Sequence, residues 1–441
     1  MIFKRRQGAG DGETSLLTPE RIRIIGVVFA VAWLLILCFD IWTHTRHGLV
    51  DAEGQQLGRD FVNSWAAPRL AQIGPAEQVY AIRDLTAFER GLTAPNAAPK
   101  FYSYPPTYLL LTTPISLPPF LPAYLLWIAG GWALLIALLR PFLGLNSATM
   151  AVLASPAVFM NTVSGQNGAL TTGAFVGGLM LLERRPVLAG AVLGLLSVKP
   201  QLALLVPIAL LSAGQLRALL AMGFSALLLA GLSVLAYGVA PWLAFFHNFP
   251  TQKLLLDLEP SIWQRMPTVY SAVRLAGGAA ELAYAVQLAA AGFSALCVIV
   301  VWRRSGPMLT KAAILILASL ACTPYAWDYD SIAVLFAAIW LWRPAPGMGA
   351  NAPEKLLLAI LVAGAALAPL LANVLHLQIA PLCLLALLAI RALKPSGAED
   401  PAAQRGEERH GESGDALNSE LLSDPLRSRK ETPQSARLTS Q

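Results

Sequence analysis

Charge is what this sequence has least of. Only 13% of its 441 residues are Asp, Glu, Lys or Arg, against roughly 25% in soluble domains. With 56% hydrophobic residues and a mean hydropathy of +0.57, that shortage excludes an ordinary soluble globule and reads as an all-α polytopic membrane protein. A strong charge of one sign is also missing. The net charge of +6 does not suggest nucleic acid, and the Arg and Lys residues sit beside apolar runs, as an orientation signal would. Cysteine is scarce. Cys38, Cys297, Cys322 and Cys383 each lie in or at the end of an apolar segment without metal-ligand spacing, so they read as small hydrophobes rather than disulfide partners. His44, His47, His247 and His376 show no ligand spacing either, and no metal is expected. Low-complexity tracts and repeats of solenoid period are absent. A soluble catalytic domain has no room: the largest expected outside loop has about 60 residues, the lower edge of an independent domain.

What is present is a series of apolar runs. A helix needs about 20 apolar residues to cross a bilayer. Candidate runs lie near 24–42, 121–140, 147–163, 168–183, 186–200, 201–213, 217–239, 281–302, 310–323, 329–343, 355–372 and 376–393. They predict a bundle of about 12 transmembrane helices over 24–394. The first run lies too far in for a signal peptide and lacks a small-residue cleavage site, so it reads as an uncleaved helix after a cytoplasmic N-terminal segment, 1–23. Lys4, Arg5, Arg6, Arg21 and Arg23 place that segment inside. Arg140, Arg184, Arg185, Arg217, Arg303, Arg304 and Arg343 then also fall inside, provided that YPPTYLLLTTPISLPP does not cross. Its Pro-rich ends and modest length fit an interfacial or re-entrant helix over about 105–119. Three features are left outside: a first loop of about 43–104, a second near 240–280, and the turn TPYAWDYDS, 323–331. The tail, 395–441, is polar and poor in aromatics and reads as disordered and cytoplasmic.

Polar groups at the ends of these runs each admit a plain and a functional reading. Lys199, in LLSVKPQLALL, is either a lysine whose ammonium reaches the interface or a cation waiting for a phosphate. Pro200 breaks the helix beside it, and Gln201 adds an amide. SGQNGA is either an ordinary turn or a pair of amides, Gln166 and Asn167, able to bond sugar hydroxyls. In TPYAWDYD the aromatics suit an interfacial belt, but Asp328 and Asp330 among Tyr325, Trp327 and Tyr329 also suit a sugar, whose CH faces stack and whose hydroxyls donate. Two acids are a weak metal signal. In GRDFVNSWAAPRL, Arg59 and Asp60 read as a surface pair of little worth, a piece of an ion path, or a catalytic base. Tyr104, in SYPP, reads as part of a turn before an apolar helix.

The order of these stretches resembles a known pattern. RDFVNSWAAPRL, VYAIRDLTAFE, YSYPPTYLLLTTPISLPP, SPAVFMNTVSGQNGALTTG, RPVLAGAVLGLLSVKPQLALLVP and TPYAWDYDSIAV together look like glycosyltransferase family 87, the polyprenyl-phosphate-mannose-dependent mannosyltransferase-like family with a GT-C fold. The resemblance covers roughly 24–343 and, more loosely, the last two helices. It implies an inverting transferase on the outer face of a bacterial inner membrane, with both termini cytoplasmic. The donor would be a hexose, mannose first, on a polyprenyl phosphate. The acceptor would be an envelope glycolipid or polysaccharide. No cofactor beyond the donor is implied, and the partners are membrane lipid and these substrates, not nucleic acid. The family's acidic residue in the first outside loop matches Asp60 as general base. Its YPP element matches Tyr104, Pro105 and Pro106, and its KPQ element matches Lys199, Pro200 and Gln201. Two departures stand out. The GQ-x-N-like element is Gly165, Gln166 and Asn167, without the intervening residue. Asp328 and Asp330 stand where relatives often carry histidine.

The chemistry agrees with these residue types. A base must take the proton of an acceptor hydroxyl as it attacks the anomeric carbon, a contribution of about 10²–10⁴-fold. The leaving polyprenyl phosphate is already anionic and needs cationic donors, for which Lys199 and Arg59 are the first candidates and Arg265 and Lys253 the next. The competing reading is a transporter or flippase of a lipid-linked sugar, which favours mid-membrane charges and matched inverted halves. The polar residues here cluster at one face, and no such halves stand out in the sequence.

Overall fold

The computed structural model describes residues 19–46, 48–342 and 349–394, and all of them fall in one compact unit. The tail 395–441, the first 18 residues, His47 and Arg343 lie outside the described residues. Among those described there are helices and short 3₁₀ turns but no strand, only an isolated bridge between Val50 and Gln56.

Helix α1 spans Pro19–Arg46, 28 residues, or about 42 Å at 1.5 Å per residue. It starts on a proline, whose missing N–H costs nothing in a first turn, and extends past both ends of the expected run. Four helices among the described residues are long and apolar enough to cross a membrane: Arg23–Arg46 within α1, Phe120–Leu143, Leu216–Tyr237 and Ala280–Arg303. A fifth is formed if Ala352–Ala365 and Leu367–Leu375, which meet at 85°, count as one span. Pro369 lies in the second piece. Its missing N–H leaves the carbonyl four residues back without a donor, a sufficient cause for the bend. Leu227 and Leu235, 75% and 84% exposed, lie on Leu216–Tyr237, the kind of apolar surface a bilayer covers. The chain is thus a membrane protein. The expected figure of about 12 spans does not follow from the helix lengths. Six other apolar helices have only 10–17 residues, including Leu145–Ala154, Pro186–Val198 and Pro200–Ser212. Pro156 opens a new helix inside the expected run 147–163, and Pro200 opens one at the expected boundary between 186–200 and 201–213, so these pieces fall short of the ~30 Å hydrocarbon core. Met308–Cys322 sits at the centre, buried at every residue from Ala312 to Cys322.

The stretch expected as the first outside loop is largely helical. Helix α2, Phe61–Ile73, has ten of its 13 residues buried. A 3₁₀ turn, Ala76–Tyr80, leads to helix α3, Ile82–Leu92, which turns Leu85, Thr86 and Glu89 inward. Helix α4, Pro106–Ser116, begins directly at the YPP element and ends before the prolines at 118 and 119. At 11 residues, or about 17 Å, it is too short to cross and a little shorter than expected. Helix α5 follows as Phe120–Leu143. α2 packs against both α3 and α4, and that packing carries the head of α2, Asp60, toward the rest of the site.

Candidate active site

Three turns from distant parts of the chain stack on one another. The turn before α2 contains Arg59 with φ 45° and ends at Asp60. The second, 164–168, lies on it so closely that a Cβ on Gly165 would stand 2.5 Å from the Gly58 carbonyl oxygen. A Cβ on Gly168 would stand 2.5 Å from the carbonyl oxygen of Tyr329, in the third turn. Only glycine lets backbones approach this closely. The Asp60 amide donates to the Ser164 carbonyl at 3.1 Å and joins the first two turns. Arg265 joins the second and third, donating to Ser164 Oγ at 3.1 Å and to both oxygens of Asp328 at 3.0 and 3.3 Å.

Asp60 occupies the N-cap position of α2 without capping it, so its carboxylate is left for other partners. Gln166 Nε2 donates to Oδ2 at 2.8 Å, and Lys100 Nζ lies 3.5 Å from Oδ1. Gln166 in turn accepts a 2.6 Å bond from the Tyr104 hydroxyl at Oε1. A tyrosine thus orients an amide, and the amide orients a carboxylate that remains about one-third exposed. Lys199 sits where Pro186–Val198 breaks, one residue before Pro200 restarts the helix. Its ammonium donates to Asp330 Oδ1 at 2.6 Å and lies 4.6 Å from the centre of the Tyr329 ring. Asp330 Oδ2 accepts from the Trp327 amide at 2.9 Å.

These groups border a cavity of about 490 Å³. Its lining includes the polar side chains of Asp60, Asn63, Lys100, Gln166, Lys199, Gln201 and Gln252 and the aromatic ones of Tyr104, Tyr325, Trp327 and Tyr329. Leu204, Phe245, Phe249, Leu255, Leu256 and Ile262 add apolar surface to the same lining. A lining of both kinds suits a ligand with a polar head and an apolar body.

Of the residues singled out from the sequence, Asp60, Tyr104, Gln166, Lys199, Gln201 and Tyr325 line the cavity. Asp328 and Asp330 lie behind it, each engaged with a cation, Arg265 and Lys199. Asn167 is buried outside the lining. Arg59 points elsewhere: its guanidinium pairs with Asp40 at 3.2 Å, beside His44, and Lys100 takes the place beside Asp60 that the sequence offered to Arg59. Lys253 pairs with Asp257 in the next turn of its helix. Lys100 and Asn63 were not singled out. Lys100 stands four residues before the YPP element, and nothing in the sequence signals its meeting with Asp60. Glu89 was missed as well. It is fully buried on α3, and neither carboxylate oxygen has a hydrogen-bond donor among the described residues. Burial pushes its carboxyl up to about 8, with Lys100 drawing it down and Asp60 adding to the rise. The four cysteines are free, and among the described residues no three His, Cys, Asp or Glu side chains gather as metal ligands.

Comparison with known proteins bears on this site from outside its geometry. Neither the curated proteins nor the solved structures gave a match. The model of glycosyltransferase family 87 matches residues 102–324, just over half of the chain. Tyr104, Gln166, Lys199, Gln201 and Arg265 fall inside the matched stretch, and Asp60 and Lys100 reach it from upstream through the contacts described. The chain belongs to glycosyltransferase family 87.

Proposed function

We propose that this membrane protein is an inverting hexosyltransferase, with mannose as the sugar, a polyprenyl phosphate as its carrier, and an envelope glycolipid or polysaccharide as acceptor. The observation that carries the reading is the placement of Asp60: a carboxylate oriented by Gln166 and Lys100 in the lining of a cavity that also has aromatic and apolar side chains. Asp60 takes the proton of the acceptor hydroxyl while that oxygen attacks the anomeric carbon. The bond to phosphate breaks on the opposite side, and its electron pair leaves with the polyprenyl phosphate. Lys199 and Lys100 are the cations within the lining that meet this anion, a stronger bond than between neutral partners. The aromatic side chains give faces for the sugar, and the apolar side chains of the lining receive the start of the prenyl chain.

In this reading 24–394 is a GT-C-like membrane domain with 1–23 and the tail 395–441 in the cytoplasm, and the cavity opens on the outer face of a bacterial inner membrane. The charge rule supports that orientation, as does the need of an envelope acceptor to be met outside.

The test is sugar transfer in proteoliposomes from polyprenyl-phosphate-mannose to an envelope lipid extract, with wild type beside Asp60→Asn. Transfer by wild type and a loss of at least about a hundredfold in a folded Asp60→Asn is the result expected of a general base. Transfer undiminished in Asp60→Asn moves the base elsewhere. No transfer by wild type refutes the donor and favours a protein that moves a lipid-linked sugar without cleaving it.

A further inference from the structure

Asp60 heads α2 and leaves the helix uncapped. Aspartate is among the best helix caps, normally from extended backbone, with a side-chain oxygen on the amides of the first turn. Here Asp60 lies at φ −95° and ψ −2°, and its side chain makes no such bond. Its carboxylate goes to Gln166 and Lys100 instead. The helix and the cavity thus compete for one carboxylate, and the chain has to be held on the cavity's side.

The two residues before it are both left-handed, Gly58 at φ 65° and Arg59 at φ 45°. Gly58 has no room for a side chain, since a Cβ there would stand 2.5 Å from the Tyr124 ring. Arg59 carries one, in a conformation that crowds any Cβ and that glycine enters freely. Its amide donates to the Gln56 carbonyl at 2.8 Å and closes a turn. Its guanidinium reaches across to α1, where Nη1 donates to Asp40 Oδ1 at 3.2 Å and lies 3.5 Å from His44 Nε2. The Asp40 side chain is only 12% exposed, and its other oxygen has no hydrogen-bond partner among the described residues. A carboxylate so poorly hydrated holds its counter-charge more firmly than an exposed one does.

We propose that Asp40 and Arg59 are positioning residues for the base: their ion pair ties residue 59 to α1 in its left-handed conformation and so keeps Asp60 turned to the cavity rather than capping α2. The proposal rests on the reading of Asp60 as base. Arg59, which the sequence offered to the donor phosphate, is not in the cavity lining and serves the reaction through Asp60. Without the pair, residue 59 relaxes toward negative φ, and the Asp60 carboxylate turns to the first amides of its own helix. The base is then withdrawn from the acceptor hydroxyl, while Lys199 and Lys100 stay in place for the phosphate. The loss falls on kcat and leaves donor KM nearly as it was.

The experiment measures kcat, donor KM and melting for wild type, Asp40→Leu, and Asp40→Leu combined with Arg59→Gly or with Arg59→Ala. Asp40→Leu should lower kcat by about tenfold or more, with donor KM within about threefold. Glycine adopts φ 45° without help, so adding Arg59→Gly should return kcat to within about threefold of wild type, and adding Arg59→Ala should not. A pair that only fastened α1 would be missing equally from both double variants, and they would behave alike. That result, or a wild-type kcat in Asp40→Leu, overturns the proposal. If Asp40→Leu does not fold, Arg59→Gly and Arg59→Ala alone carry the test. Both leave Asp40 unpaired and differ in the backbone they favour, so kcat should be about tenfold higher in Arg59→Gly, and equal rates overturn the proposal. Arg59→Gly should also melt at least about 1 °C above Arg59→Ala, a readout that needs no donor. If wild type transfers nothing from polyprenyl-phosphate-mannose, the donor reading falls, and an Arg59→Gly that melts no higher than Arg59→Ala overturns the proposal separately. Undiminished transfer in Asp60→Asn refutes the base and the proposal together, whereas loss of transfer in Asp60→Asn beside double variants that are alike refutes the proposal alone.

Discussion

Exchanging Lys199 for methionine separates two roles that the buried pair with Asp330 combines. The two side chains are 3% and 0% exposed, and their charged atoms lie 2.6 Å apart. In Lys199→Met, Asp330 keeps one donor, the Trp327 amide, but loses its counter-charge in a dry place. Removing one member of a buried pair costs about 3–5 kcal/mol, a large part of the roughly 5–15 kcal/mol that holds a domain together. Neutralising both, in Lys199→Met with Asp330→Asn, should return most of that loss, because a neutral pair of similar shape is often as stable as the ions it replaces. Unfolding in detergent micelles measures this part. Activity measures the other. A hydrogen bond from a charged group contributes about 1.5–3 kcal/mol, so the stable double variant should still show donor KM raised roughly tenfold to a hundredfold. A Lys199→Met protein as stable as wild type would refute the structural argument. A double variant with wild-type donor KM would refute Lys199 as the phosphate's cation.

Other expectations follow from the same geometry. Gln166→Leu removes the donor to Asp60 Oδ2 and the acceptor of the Tyr104 hydroxyl, so kcat should fall by about tenfold to a hundredfold with donor KM within about threefold. Tyr104→Phe loses only the outer bond, about 1 kcal/mol or roughly fivefold, and a greater loss than in Gln166→Leu would reverse the order of support assigned here. Gly165→Ala forces a methyl group toward the Gly58 carbonyl and Phe61 at φ 57°. Transfer should drop at least about tenfold, whereas Gly214→Ala, at φ 67° with open space around it, should lose only about 1–2 kcal/mol of stability and keep its rate. Glu89→Gln tests the buried acid on α3. The folded chain keeps the Glu89 proton to about pH 8, where an ordinary carboxyl gives it up near 4.5. The folded state therefore binds more protons in that window, and stability falls as pH rises through it. Melting points of wild type and Glu89→Gln should diverge with rising pH, and parallel curves would count against a buried neutral acid.

How far the sequence was legible differs from element to element. Ala280–Arg303 and Leu216–Tyr237 are plain from their uninterrupted hydropathy, because a bilayer asks only for length and apolarity. The run that breaks at Lys199 was legible as a break, since Pro200 acts locally, but not as a buried ion pair, whose other half lies 131 residues away. The stretch 43–104 looked like a loop because its apolar residues are sparse and broken by Gly and Pro. Its α2 is held by packing on α3 and α4 rather than by any periodicity of its own. Asp60 and Gln166 could be singled out as residue types, and the hydrogen bond between them could not, because it follows from two turns that meet only in the folded chain. Arg59 shows the converse: a cation next to the base in sequence is turned to Asp40. Lys100 and Glu89 had no local signal at all.

Matching each cation with its own carboxylate has a consequence for turnover. With the proposed donor, loss of the sugar would convert a phosphodiester into a phosphomonoester, which has a second ionisation near pH 6 and so carries more negative charge at neutral pH. A bare cluster of ammonium groups would grip that product harder than the substrate, and the enzyme would stall with its spent carrier bound. Asp330 stands 2.6 Å from Lys199, and Asp60 stands 3.5 Å from Lys100. In the proposed reaction Asp330 can take Lys199 back as soon as the sugar has gone, and Asp60 can take back Lys100 once it has released the proton it accepted, so each would compete with the spent phosphate and hasten its departure.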